Sequence, residues 1–135
     1  MSAGSAPDDP PTPTALVVAG DEETRVLLRG LLRLHHFRVD GEAEGVTQAL
    51  EMLREHPPTL LVVDLNLTEG SATALLQEVR GFAPTVRTIL VAPASRPLPP
   101  RPEPYADVLL LRPFRIRQFA EALVAPAVGP APDVA

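Results

Sequence analysis

The sequence predicts a single α/β domain built on an open, doubly wound parallel sheet of five strands. Two observations carry this reading. Four short runs are apolar throughout instead of alternating, which suits parallel strands covered on both faces. Between most of them lie longer stretches in which apolar residues recur at three- and four-residue steps, the spacing of helices. Strand and helix therefore alternate, and the right-handed crossover rule turns that order into a doubly wound sheet. The chain has 135 residues, 45% of them apolar, enough for one sizeable core and too few for a second.

Taken in order, residues 1–13 are rich in Pro, Ser, Ala and Asp and are expected to form a disordered tail. The domain is expected over residues 14–125. Its first strand is ALVVA (Ala15 to Ala19), followed by a helix from Asp21 to His36 in which Leu27, Leu28, Leu31, Leu32 and His35 share the helical spacing. Asp21 to Glu23 place negative charge where a helix start favours it. Phe37 to Asp40 is a weaker strand candidate. Ala49, Leu50 and Leu53 mark a second helix that Pro57 and Pro58 end, and LLVVDL (Leu60 to Leu65) is the next strand. Leu75, Leu76 and Val79 mark a third helix, which Gly81 is expected to end. TILV (Thr88 to Val91) and VLLL (Val108 to Leu111) are the last strands, and Ile116, Phe119 and Leu123 mark a final helix stopped near Pro126. Residues 126–135 are expected to be a disordered C-terminal tail.

One connection breaks the alternation. Residues 93–105, PASRPLPPRPEPY, hold six prolines in thirteen positions, so no helix is expected before the last strand. A polyproline II excursion across the surface is expected instead, among the most mobile parts of the domain.

Composition excludes several kinds of function. With no cysteine, neither disulfides nor thiolate metal sites are available. A net charge of −5 argues against general affinity for nucleic acid, and the single tyrosine, Tyr105, with four phenylalanines makes no stacking platform for bases. No run approaches the roughly 18 apolar residues of a membrane span, and the N-terminus lacks a basic segment followed by an apolar one. A cytoplasmic protein is expected. All 12 basic residues are arginine and Asn66 is the only asparagine, the residue usage of a GC-rich genome.

The stretch LLVVDLNL sets the functional question, because it places the carboxylate of Asp64 at the end of a strand that reads as buried. In open parallel sheets, ligands and chemistry collect beyond the carboxyl ends of the strands. The plainer alternative is that Asp64 caps the strand and meets solvent.

VV at 17–18, the helix with Arg25 and its leucine pairs, HFRV, GEAEGVTQAL, LLVVDLNL, TILVA and LLLRPF follow one another in an order and spacing that resembles the receiver domain of bacterial two-component response regulators, over roughly residues 14–125. The resemblance implies a flavodoxin-like (CheY-like) five-stranded fold. It also implies that Asp64 holds the position of the aspartate that accepts a phosphoryl group from a histidine kinase.

That reaction gathers negative oxygens around a carboxylate and so requires a hard divalent cation held by oxygen. In the family the ligands include an acidic pair after the first strand, the acceptor carboxylate and a backbone carbonyl two residues beyond it. The last two map onto Asp64 and Asn66, whereas the acidic pair falls on Ala19 and Gly20, neither of which has a ligating side chain. Asp21 and Glu22, one or two positions on, are weak candidates for a metal, and the simpler reading gives them the helix N-terminus. The family's hydroxyl at the end of the fourth strand is replaced by Ala92, with Ser95 a poor substitute. Its lysine before proline is Arg112, followed by Pro113 and Phe114, and the family implies a cis bond at Arg112-Pro113. A chain without lysine explains the arginine simply, yet a planar fork is not a point charge. The arrangement expected is a direct contact, or one bridging water, between Arg112 and Asp64 in place of a metal.

Other residues read more plainly. His35, His36 and His56 show no metal-ligand spacing with acids, and His35 lies on the packing face. Arg96 to Pro102, RPLPPRP, has the form of a ligand for an aromatic-lined groove but suits a stiff surface connector better. No glycine-rich phosphate loop follows the first strand, so an enzyme or small-ligand binder on this fold has no positive support. The function expected is an atypical stand-alone receiver-like signalling and protein-interaction module, not an enzyme and without cofactor. Its expected partners are proteins, a histidine kinase or a regulatory protein among them, and its expected state is a monomer or weak homodimer. The alternative is a phosphorylatable response regulator using Mg²⁺ and Asp64.

Overall fold

A computed structural model describes residues 12–94 and 106–124. Five strands, β1 (Thr14–Val18), β2 (Arg38–Ala43), β3 (Leu60–Asp64), β4 (Arg87–Pro93) and β5 (Val108–Arg112), alternate with α1 (Glu22–Leu34), α2 (Val46–Glu55) and α3 (Ala72–Phe82), and α4 (Ile116–Val124) follows β5. The strands form one parallel sheet in the order β2-β1-β3-β4-β5, the doubly wound, CheY-like flavodoxin arrangement.

The apolar runs explain the layers. Because strand side chains alternate between faces, Leu16, Val18, Leu61, Val63 and Leu90 point to one side, where Ala49 and Leu53 of α2 and Leu75, Leu76 and Val79 of α3 cover them. Ala15, Val17, Val62, Ile89 and Val91 point to the other, beneath Leu28 and Leu32 of α1 and Phe119 of α4. β3 is buried along its whole length between these layers. His35 packs as its spacing predicts: its Nδ1 lies 2.9 Å from the Leu31 carbonyl and its ring is 5.8 Å from that of Phe119.

Several boundaries shift by a residue or two, and four differences bear on the architecture. β2 runs Arg38–Ala43 instead of ending at Asp40, since pairing with β1 overrides the low strand preference of Asp40 and Gly41. The register shifts there, Ala15 pairing with Val39 but Leu16 with Gly41, so Asp40 is the extra residue of a bulge. The Arg38 guanidinium bonds Asp40 at 2.7 Å and holds this exposed carboxyl below its ordinary range. Gly81 does not end α3; it lies inside the helix, which stops at Ala83 before Pro84. Pro93 belongs to β4, paired with Arg112, and the Ala94 amide donates to the Arg112 carbonyl, so the first two residues of the 93–105 segment are tied to the sheet. Pro13 is likewise tied, its carbonyl accepting from the Arg38 amide. The expectations for residues 1–11, the proline-rich stretch 95–105, including Ser95, Tyr105 and the RPLPPRP motif, and residues 125–135 lie outside the described residues.

Candidate functional site

The carboxyl ends of β1, β3, β4 and β5 surround one crevice, and the strand order reverses direction between β1 and β3, the place where such sheets bind ligands. Asp64 ends β3 inside it. Only 1% of the residue is exposed, so it does not meet solvent as the plainer reading had it.

A carboxylate buried to this degree needs partners for its charge. One oxygen, Oδ2, accepts from the Asn66 amide at 3.0 Å, a local turn that the spacing of the two residues allows. The other, Oδ1, lies 3.2 Å from Nη2 of Arg112 at the end of β5. The expected direct contact between Asp64 and Arg112 is thus present, and the Arg112-Pro113 bond is cis, as the resemblance implied.

Arg112 reaches further than the sequence indicates. Its Nη1 lies 3.5 Å from the hydroxyl of Thr24, a buried residue in the first turn of α1. Thr24 was not among the residues singled out from sequence. The available signal was a hydroxyl residue three positions after Asp21, the spacing of a capping interaction. Asp21 is the N-cap of α1, its Oδ2 accepting from the Thr24 amide at 2.9 Å and from the Thr24 hydroxyl at 3.1 Å. Glu22 and Glu23 occupy the exposed first turn, where they complement the helix dipole. Asp21→Ala removes the cap and is expected to cost about 1 kcal/mol in chemical denaturation, without altering the Asp64–Arg112 pair in carboxyl NMR shifts.

The loops close over this pair. The Gly20 amide donates to the Asn66 carbonyl at 2.9 Å, joining the β1–α1 loop to the β3–α3 loop. A Cβ on Gly20 would lie 3.1 Å from backbone atoms of Asn66, Leu67 and Thr68. On the other side the Thr68 amide and hydroxyl both donate to the Glu44 carbonyl. The Glu69 carboxylate accepts from the Thr47 amide at 2.6 Å, capping α2, whose own N-cap is Gly45. Gly70, at φ +80°, packs on Val46 and provides the left-handed turn this route requires.

The residues present do not fit a divalent cation. Of the oxygens the resemblance implies, the Asn66 carbonyl faces the Gly20 amide, and the Asp64 carboxylate is engaged by a guanidinium and an amide. Ala19 and Gly20 offer no side-chain oxygen, and the Ala19 carbonyl accepts at 2.6 Å from Nη1 of Arg25, a second guanidinium at the end of β1. Among the described residues no three histidine, aspartate or glutamate side chains converge to hold a metal. Ala92 is fully buried at the end of β4 and provides no hydroxyl.

No protein-family model matches the chain. Among curated proteins it is 29% identical over 75 residues to the chemotaxis protein CheY of Bacillus subtilis, a match covering 56% of this chain and 62% of that protein. It is 28% identical over 67 residues to the transcriptional regulatory protein CitT of the same organism, covering 50% of this chain and 30% of CitT. The chain thus matches less than two thirds of the length of either relative. Among solved structures, a CheY-like response regulator receiver domain from Methylobacillus flagellatus superposes with a TM-score of 0.75 at 23% identity, covering 84% of this chain and 97% of that one. The receiver domain of the response regulator NarL from Mycobacterium tuberculosis superposes at 0.72 with 20% identity, covering 84% and 94%. Among the described residues no helix is long and apolar enough to cross a membrane. Sequence relatives and structural neighbours point the same way, and the fold of this chain is that of the CheY-like response-regulator receiver domain.

Proposed function

We propose that the chain is an atypical receiver-like module of two-component signalling that works through protein interaction and does not use Mg²⁺-dependent phosphorylation of Asp64. The observation that carries this reading is the buried ion pair between Asp64 and Arg112, in which a fixed guanidinium neutralises the carboxylate. Arg112 holds the charge, the Asn66 amide orients the carboxylate, and the Gly20–Asn66 hydrogen bond ties the β1–α1 loop to the loop that carries that amide. The partners are proteins, a histidine kinase or a regulatory protein of the same pathway; the module is not an enzyme, binds no nucleic acid and acts in the cytoplasm.

The test is a Mg²⁺ titration followed by amide shifts near Asp64, paired with exposure to acetyl phosphate and intact-mass analysis. The expected result is a Mg²⁺ affinity no tighter than millimolar and no phosphate adduct on the chain. A sub-millimolar site, or a hydroxylamine-sensitive phosphate adduct on Asp64, overturns the proposal in favour of the phosphorylatable regulator, with Asp21 or Glu22 displaced from the helix end to serve the metal.

A further inference from the structure

The first three helices do not begin alike. Asp21 caps α1 and Ser71 caps α3, each accepting from an amide three residues further along its own helix. At the start of α2 stands Gly45, which has no side chain to cap with, and the first turn of that helix holds no acid. Its amides are met from another part of the chain. The carboxylate of Glu69, in the β3–α3 loop, accepts from the Thr47 amide at 2.6 Å, and the Glu69 carbonyl accepts from the Val46 amide at 3.2 Å. The cap of α2, with the negative charge that a helix start favours, therefore belongs to the loop that runs over Asp64.

Two glycines mark the same contact from opposite flanks. A Cβ on Gly45 would lie 2.7 Å from Oε2 of Glu69, so a side chain there would push the carboxylate off the helix. A Cβ on Gly70 would run into the side chain of Val46. Both positions keep loop and helix in close approach. The dependence is reciprocal, because the same stretch of α2 and the residue before it hold the loop: Thr68 donates its amide and its hydroxyl to the Glu44 carbonyl beside the two bonds of Glu69. Thr47, Thr68 and Glu69 are exposed, whereas Asp64, to which the Asn66 amide of this loop donates at 3.0 Å, is buried. A contact at the surface thus fixes a bond in the interior.

We propose that Glu69 is a positioning residue for Asp64: by holding the β3–α3 loop on the first turn of α2 it keeps the Asn66 amide on the carboxylate and the crevice shut. Release of Glu69 from α2 opens the crevice. The start of α2 is then the outer control point of a site it does not touch. The inference rests on the shut crevice of the proposed function and names the residue that shuts it.

Hydrogen exchange and coupling of an amine to Asp64 with a water-soluble carbodiimide, both read by peptide mass, test it on the full chain. Glu69→Ala is expected to speed exchange at the Gly20 and Asn66 amides at least about fivefold, the loss of one helix cap read as local opening, and to raise coupling at Asp64 in the same proportion. Glu69→Gln keeps an acceptor without the charge and is expected to fall between Glu69→Ala and the unmodified chain. Glu78→Ala, which breaks the exposed 2.9 Å pair between Arg54 of α2 and Glu78 of α3, is the control and is expected to change neither readout. Unchanged exchange at Gly20 and Asn66 overturns the proposal, as does an increase no larger than that at Val62 and Val63 of β3, which report general loosening. So does an opened loop with no gain of coupling at Asp64. The Mg²⁺ affinity of the unmodified chain, which tests the proposed function, does not enter this comparison, and either reading can fail alone.

Discussion

Arg112→Ala is expected to lower stability by about 2 to 3 kcal/mol at neutral pH, because it leaves the carboxylate of Asp64 buried without its cation. Breaking a fully buried ion pair costs more, about 3 to 5 kcal/mol. The Arg112 side chain is 27% exposed and Asp64 keeps the Asn66 amide among its partners, so water and hydrogen bonding soften the loss. The sign of the pH dependence follows. Without the guanidinium, the folded state disfavours the ionised carboxylate, and Asp64 in the variant holds its proton to a higher pH than in the unfolded chain, where aspartate titrates near about 3.9. Such a group contributes stability below the unfolded value and loses it as pH rises through the folded one. The deficit of the variant is therefore full at neutral pH and shrinks on acidification toward pH 4. Chemical denaturation at both pH values measures it, and carboxyl NMR follows Asp64 itself. Adding Asp64→Asn to Arg112→Ala is expected to recover part of the loss, since an amide carries no charge to compensate. A change within about 0.5 kcal/mol for Arg112→Ala at neutral pH would show that the pair does not hold the crevice.

The second large effect is expected from putting an acid back where the receiver pattern has one. Gly20→Asp supplies a carboxylate at the end of β1, but its Cβ arrives 3.1 Å from the backbone of Asn66, Leu67 and Thr68. Backbone cannot swing aside like a side-chain tip, so the β3–α3 loop must shift and loosen the Gly20–Asn66 hydrogen bond. The expected cost is about 2 kcal/mol of stability. No tight Mg²⁺ site is expected to follow, because Arg112 still occupies Asp64 and only two carboxylates would be present. Combining Gly20→Asp with Arg112→Lys tests the reason: if the guanidinium is what excludes the cation, the double variant binds Mg²⁺ more tightly than either single one in calorimetric titration. If Gly20→Asp alone binds Mg²⁺ below millimolar concentration without loss of stability, the closed loop is not a barrier.

Both effects depend on distances between residues remote in sequence, which marks how far the sequence could be read. The strands of the sheet interior were legible because burial on both faces demands uniformly apolar side chains, as in ALVV, LLVV and TILV, and β5, although at the other edge, keeps the apolar run VLLL. β2 was not, because an edge strand with one partner tolerates RVDGEA, and only pairing with β1 gives it strand geometry. The length of α3 was misread for a related reason. Gly81 costs helix stability locally, but the packing of Leu75, Leu76 and Val79 carries the helix past it.

The site divides along the same line. Sequence alone determined which chemical groups the crevice has: a carboxylate at Asp64, an arginine at Arg112, no acid at Ala19 or Gly20 and no hydroxyl at Ala92. It also determined that Asp64 and Arg112 end strands of one parallel sheet, because the hydrophobic pattern sets strand ends. Tertiary structure alone decided what those groups do to one another. Arg112 reaches Thr24 as well as the Asp64 that the sequence reading had paired with it, and the β3–α3 loop is pinned to the β1–α1 loop through Gly20 and to α2 through Glu69. Patterning specifies which face of an element is buried, a property of neighbours along the chain. Hydrogen bonds and ion pairs are directional and act over about 3 Å, and only the packed sheet brings residues such as Thr24 and Arg112 within that range.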